Sequence, residues 1–245
     1  IIADPDLRVD DLAVLPEAEK QQLLAWSGQR KSYAPLAFHE IVADWARRQP
    51  KRLAVVAGSE RWTYGQLDRT ATTLAQYLAT NHSIAPQTRV GLFMDRSVWS
   101  VTSLLALWKL GAVYVPIDIQ YPVERSREVL SAAAVSLVLT TAHLRQRLPE
   151  LDLPLLSVEK LDLEPHPGAE ALPRVALDAI AYLIHTSGTS GKPKRIPIRH
   201  ESISDRIQYH NDYLNLSDRE AVLHLAGLHF DSSLVEIGMA LLSGG

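Results

Sequence analysis

Between residues 89 and 139, short apolar runs alternate with longer segments of helical period. That alternation restricts the chain to few architectures. Residues 90–94 (Val-Gly-Leu-Phe-Met), 113–115 (Val-Tyr-Val) and 136–139 (Ser-Leu-Val-Leu) read as strands. Residues 98–110 and 123–133 read as the helices between them, the first closed by Gly111. Strands separated by helices pair in parallel through right-handed crossovers, with helices covering both faces of the sheet. The fold class expected is α/β, a mostly parallel sheet flanked by helices.

The flanking regions fit this frame. Residues 16–26 read as a short helix with Pro16 near its first turn and Gly28 just past its end. Residues 38–48 form an amphipathic helix stopped by Pro50, and residues 53–57 a strand followed by a turn at 58–60. Thr63 suits the N-cap of a helix running to about residue 79, with Leu67, Ala71, Leu74 and Leu78 at helical spacing. Residues 149–173 hold five prolines and mixed charge, a surface excursion carrying one short strand at Leu155 and Leu156. A strand at 179–184, a helix at 202–213, a strand at 221–225 and an apolar helix at 234–242 complete the reading.

Composition excludes several classes. The net charge is −3 with no basic block, which argues against a nucleic-acid surface. There is no cysteine, so disulfides, thiolate catalysis and Cys-ligated zinc are ruled out. The nine histidines show no metal-ligand spacing, so no metal site is expected. Apolar runs fall short of a membrane span and the N-terminus is acidic rather than a signal peptide. A cytoplasmic enzyme with neither nucleic-acid nor membrane partner is the expectation.

The segment His185-Thr186-Ser187-Gly188-Thr189-Ser190-Gly191-Lys192-Pro193-Lys194 gathers two glycines, four hydroxyls and two lysines directly after the 179–184 strand. Glycines let backbone N–H groups converge on an anion, and hydroxyls and ammonium groups add donors. A Walker loop is excluded, because Gly188 and Gly191 are two residues apart and Pro193 stands where a magnesium-binding Ser or Thr is needed. The plain alternative is a polar surface linker. Two strand-like segments flank it with lysines at the exit, which favours phosphate binding.

The run from Thr186 to Lys194 resembles the phosphate loop of adenylate-forming (AMP-binding) enzymes. Leu107-Trp108-Lys109-Leu110-Gly111-Ala112-Val113-Tyr114-Val115-Pro116-Ile117-Asp118, Trp62-Thr63-Tyr64-Gly65-Gln66-Leu67 and Phe230-Asp231-Ser232-Ser233 resemble three core motifs of nonribosomal peptide synthetase adenylation domains, in the family's order. Residues 15–26 resemble the linker between a condensation domain and an adenylation domain. The resemblance implies residues 1–35 as that linker and 36–245 as the N-terminal part of the adenylation core, the large subdomain.

It also implies a reaction. An amino acid would be activated by ATP to an aminoacyl-adenylate with release of pyrophosphate, then loaded onto a carrier protein's phosphopantetheine thiol. Thr186, Ser187, Gly188, Thr189, Ser190, Gly191, Lys192 and Lys194 would hold the phosphates. Asp231 would pair with the substrate's α-ammonium, a reading favoured over the plain alternative that this carboxylate is the N-cap of the following helix. Ser232 and Val235 match side-chain pocket positions.

The family's magnesium ligands and catalytic lysine have no matching position before Gly245, so the 245 residues alone are expected to be inactive and to form part of a longer polypeptide. Arg195 stands where the family usually has glycine, and His185 where it usually has an aromatic residue. A peptidyl carrier protein and a condensation domain are the implied partners, with an MbtH-like protein possible near residues 123–134, where Ala133 is the matching small residue. An acyl- or aryl-CoA ligase and a catalytically dead scaffold module stay open as alternatives.

Overall fold

A computed structural model describes residues 8, 15–27, 31–148, 150–163, 171–186 and 194–245, with the side chain of Thr186 outside that set. The chain divides into two units, Ile1–Ser32 and Tyr33–Gly245. In the first unit, α1 (Glu17–Trp26) begins after Pro16, where a missing N–H leaves no helical hydrogen bond unmade.

The second unit begins with α2 (Phe38–Arg48) and an antiparallel hairpin of β1 (Leu53–Ala57) and β2 (Glu60–Thr63). Helix α3 (Tyr64–His82) follows. Its start is a reciprocal cap in which the Thr63 hydroxyl accepts from the Gln66 N–H at 3.2 Å and Gln66 Oε1 accepts from the Thr63 N–H at 2.9 Å. Next come β3 (Arg89–Phe93), α4 (Val98–Lys109), β4 (Val113–Pro116), α5 (Val123–Ala132), β5 (Leu137–Thr140), α6 (Ala142–Arg145) and β6 (Leu155–Ser157). The chain closes with β7 (Ile180–Thr186), β8 (Lys194–Arg199), α7 (His200–Tyr213) and α8 (Asp231–Ser243).

The larger sheet runs β6-β5-β3-β4-β7-β8. Strands β3, β4, β5, β6 and β7 are mutually parallel, and β8 pairs antiparallel with β7. Alternate residues serve opposite faces, as the two-residue period of a strand requires. Val90, Leu92, Tyr114, Leu137 and Leu139 enter one core with α2, α3, α4, α7 and α8. Phe93, Val113, Val115 and Val138 enter a second core with Val129 and Leu130 of α5. Trp108 anchors the first core: it is fully buried, its indole N–H donates to the Ala181 carbonyl at 2.8 Å, and it lies edge-on to Phe38.

Small residues decide two close approaches. Gly111 follows α4 at φ +68°, a left-handed conformation that glycine adopts without strain. Gly238 on α8 has no room for a side chain, since an added Cβ would stand 2.3 Å from Ile207 Cδ1 on α7 and 2.9 Å from Phe38 Cε2. The α7–α8 crossing therefore depends on that glycine.

One expectation needs correction, and one alternative falls away. Residues 221–225 are not a strand: no strand lies beside them among the described residues, and Leu223 and Leu225 are exposed. A strand without a ladder partner has unpaired backbone groups, and here the Leu225 N–H is taken by the Glu236 side chain instead. Asp231 is not an N-cap either. Phe230 occupies that position, and Asp231 is the first residue of α8. Among the described residues no helix is long and apolar enough to cross a membrane.

Candidate functional site

The parallel alignment of β3, β4 and β7 brings their carboxyl ends to one edge of the sheet. The chain continues from β3 to β4 through α4 and from β4 back past β3 to β5 through α5, so the strand order reverses at this point. Ligands in open α/β sheets bind outside carboxyl ends at such a reversal. A cavity of about 350 Å³ opens there, lined by Met94, Asp95, Ile117, Asp118, His229 and Phe230 among others.

The segment before α8 is tied down from several sides. Glu236 of α8 accepts from the backbone N–H groups of Leu225 and Ala226, each at 2.9 Å. The Arg96 guanidinium donates to the Leu225 carbonyl. The buried Tyr114 hydroxyl donates to the Leu228 carbonyl at 3.1 Å. Together these bonds fix where α8 starts, and hence where Asp231 stands.

The Asp231 carboxylate is already partnered. Arg206 Nη1 on α7 donates to its Oδ2 at 2.7 Å, with both side chains nearly half exposed. Tyr182 of β7 is buried beside this pair. Burial foremost, then the charge of Asp231, push its phenol up to about 12, partly countered by Arg206. Val235 lies one helical turn from Asp231 and is buried, whereas Ser232 is exposed.

Of the residues expected to bind phosphate, Ser187, Gly188, Thr189, Ser190, Gly191 and Lys192 lie outside the described residues. Thr186 ends β7 and Lys194 opens β8, paired with each other across the hairpin, so residues 187–193 join the two strands at the carboxyl end of β7. Lys194 is exposed. Arg195 is an ordinary strand residue, absent from the positive-φ positions, and its guanidinium donates to the Ala132 carbonyl at the end of α5. The strain that an arginine would suffer in a glycine conformation does not arise. Its pairing partner His185 has its pKa lowered first by burial and then by the charges of Arg195 and Arg125.

Other polar groups were not visible as partners in the sequence. His229 Nε2 lies 3.5 Å from Asp118 Oδ2, and its ring packs against Phe230. His39 of α2 and His200 of α7 face each other edge-on at 5.9 Å inside the first core. Burial is the main cause that lowers them to about 3 and about 4. A second, larger cavity of about 660 Å³ borders the β1–β2 hairpin and the start of α4, with Trp99, His143, Glu159 and Glu236 on its wall. Asp231 lines neither cavity. Among the described residues no group of three or more His, Cys, Asp or Glu side chains could hold a metal ion.

Residues 42–245 match the family model described as AMP-binding enzyme. The whole chain is 31% identical to part of a linear gramicidin synthase polypeptide of Brevibacillus parabrevis, of which it spans 5%. Among solved structures, the Klebsiella oxytoca NpsA N-terminal subdomain in complex with 3-hydroxybenzoyl-AMSN superposes with a TM-score of 0.75 at 28% identity, over 88% of this chain and 54% of that one. An artificially fused adenylation–PCP di-domain, NpsA-ThdA of the same organism, gives 0.78 at 30% identity, over 87% of this chain and 42% of that one.

Proposed function

The chain belongs to the AMP-binding enzyme family, and on that premise we propose that it is the N-terminal part of an adenylation domain that activates an amino acid. The reaction joins the amino acid's carboxylate to the α-phosphate of ATP and expels pyrophosphate. Both reactants are anions, so the site must offset their repulsion while holding them in line. In this reading the backbone and side-chain donors of Thr186 to Lys194 grip the phosphates, Asp231 receives the α-ammonium, and Ser232 and Val235 border the substrate's side chain.

The observation that carries the reading is topological. Strand β7 runs parallel to β3 and β4, so its carboxyl end at Thr186 lies on the same sheet edge as His229 and Phe230, the two residues before Asp231. Mg²⁺ would accompany the nucleotide, with ligands outside these 245 residues. Residues 1–35 serve as the linker from a condensation domain, and the product passes to a carrier protein's phosphopantetheine. An MbtH-like partner would have to use exposed α5 positions such as Glu124 and Arg127, because Ala133 is fully buried.

The Arg206–Asp231 pair favours one second reading, an aryl or acyl acid without an amine, since the carboxylate is neutralised before any substrate arrives. Amino-acid-dependent ATP–pyrophosphate exchange by the full polypeptide decides between them. With a panel of about twenty L-amino acids and simple aryl acids, exchange is expected for one amino acid. Asp231→Ala should lower kcat/KM by about 10- to 100-fold, the worth of a charge-assisted hydrogen bond. Exchange supported by an aryl acid alone, or undiminished in Asp231→Ala, rejects the amino-acid assignment.

A further inference from the structure

Asp231 does not wait as a free anion. Its Oδ2 accepts from Arg206 across the α7–α8 crossing, and that crossing is set by the close fit of Ile207 against Gly238, one residue along from the arginine. The backbones that carry the pair are therefore packed closely together. Both side chains remain nearly half exposed, at 44% and 46%. Ion pairs of that exposure are weak, so a competing cation displaces the guanidinium at a cost of about five-fold in affinity or less. Arg206 has no second carboxylate bonded to it among the described residues.

We infer that Arg206 is a specificity-determining residue: it is the resident counter-ion of the amine subsite, which an incoming ammonium must displace and which an acid lacking an amine leaves in place. The inference rests on the reading of Asp231 as the group that receives the substrate's ammonium. Its physical logic is charge balance. With Arg206 in place, Asp231 presents a neutralised pair and gives little attraction to a second cation. Swapping guanidinium for ammonium keeps the Asp231 carboxylate paired throughout, so the exchange gains little net attraction for the amine. Without Arg206 the carboxylate would be an unpaired anion that attracts ammonium more strongly and repels a carboxylate lacking one.

The test is exchange kinetics in the full polypeptide, using the L-amino acid that gives the highest rate in the same panel, together with its desamino analogue. In Arg206→Ala, KM for the amino acid should fall about five-fold, the effect lying on KM rather than kcat. The preference for the amino acid over the desamino acid should widen by at least that factor. Arg206→Gln should behave like the alanine variant, and Arg206→Lys, which keeps the charge, should stay near the parent. A KM that is unchanged or raised in both Arg206→Ala and Arg206→Gln overturns the inference. Asp231→Ala separates the two levels. If it loses exchange while the arginine variants leave KM unmoved, only the role of Arg206 fails; if it keeps full exchange, the Asp231 reading fails and the role of Arg206 with it.

Discussion

Gly238 is the residue on which the α7–α8 crossing turns, and replacing it with alanine tests the packing argument quantitatively. The added methyl would sit 2.3 Å from Ile207 Cδ1, 2.9 Å from Ile207 Cγ1 and 2.9 Å from Phe38 Cε2. Ile207 and Phe38 are both fully buried, so neither can swing into solvent. Overpacking of this kind costs about 3 kcal/mol at the upper end of the usual range. Alanine in a helix interior returns about 1 kcal/mol relative to glycine. The expected net loss is about 2 kcal/mol in urea unfolding followed by tryptophan fluorescence. Ile207→Val removes the closest atom and should cost about 1 kcal/mol alone. Combined with Gly238→Ala it should cost at least about 1 kcal/mol less than the sum, a coupling that contacting residues show and distant ones do not. A neutral Gly238→Ala, or costs that simply add, would refute the steric account.

Two further outcomes follow from the fold. Thr63→Ala removes the hydroxyl that accepts from Gln66 N–H and should destabilise the protein by about 1 kcal/mol in the same assay. The buried pair His39 and His200 should make the protein acid-sensitive. Their folded pKa values, about 3 and about 4, lie below the ordinary 6.5, so the unfolded chain binds more protons at intermediate pH. Their contribution is fully present above 6.5 and is lost as pH falls from there toward 4 and 3. The groups facing the pair are Lys109, itself bonded to Asp68 at 2.8 Å, and the Trp108 ring. His200→Gln should flatten the stability slope between about pH 6 and 5 by about 1.2 kcal/mol per pH unit. An unchanged slope would show that His200 is not buried as a neutral ring.

Much of the architecture was legible because parallel strands buried on both faces leave unbroken apolar runs. Val90 to Phe93 and Val113 to Val115 could be placed from sequence for that reason. Thr63 was legible because a cap is a local hydrogen bond. What escaped detection was non-local. Residues 221–225 form a short apolar run like those of the buried strands, yet strand formation depends on a neighbour that sequence pattern does not supply. Arg195 looked strained only if its backbone were glycine-like, and its pairing with His185 in β8 is fixed by the hairpin. The Arg206–Asp231 bond joins two helices 25 residues apart, and nothing in either segment names the other. His229 and Asp118, too, come together only through the fold of the sheet edge.

The central claim is that one site on the carboxyl edge of the sheet holds both a nucleotide's phosphates and a substrate amine. Its most direct test is a structure of the full polypeptide bound to a non-hydrolysable analogue of the aminoacyl-adenylate. The account expects the analogue's amine within hydrogen-bonding distance of the Asp231 carboxylate, Arg206 turned away, and the phosphate mimic against residues 186–194. An analogue bound with its amine remote from Asp231, or with that phosphate mimic held by some other part of the chain, would contradict it.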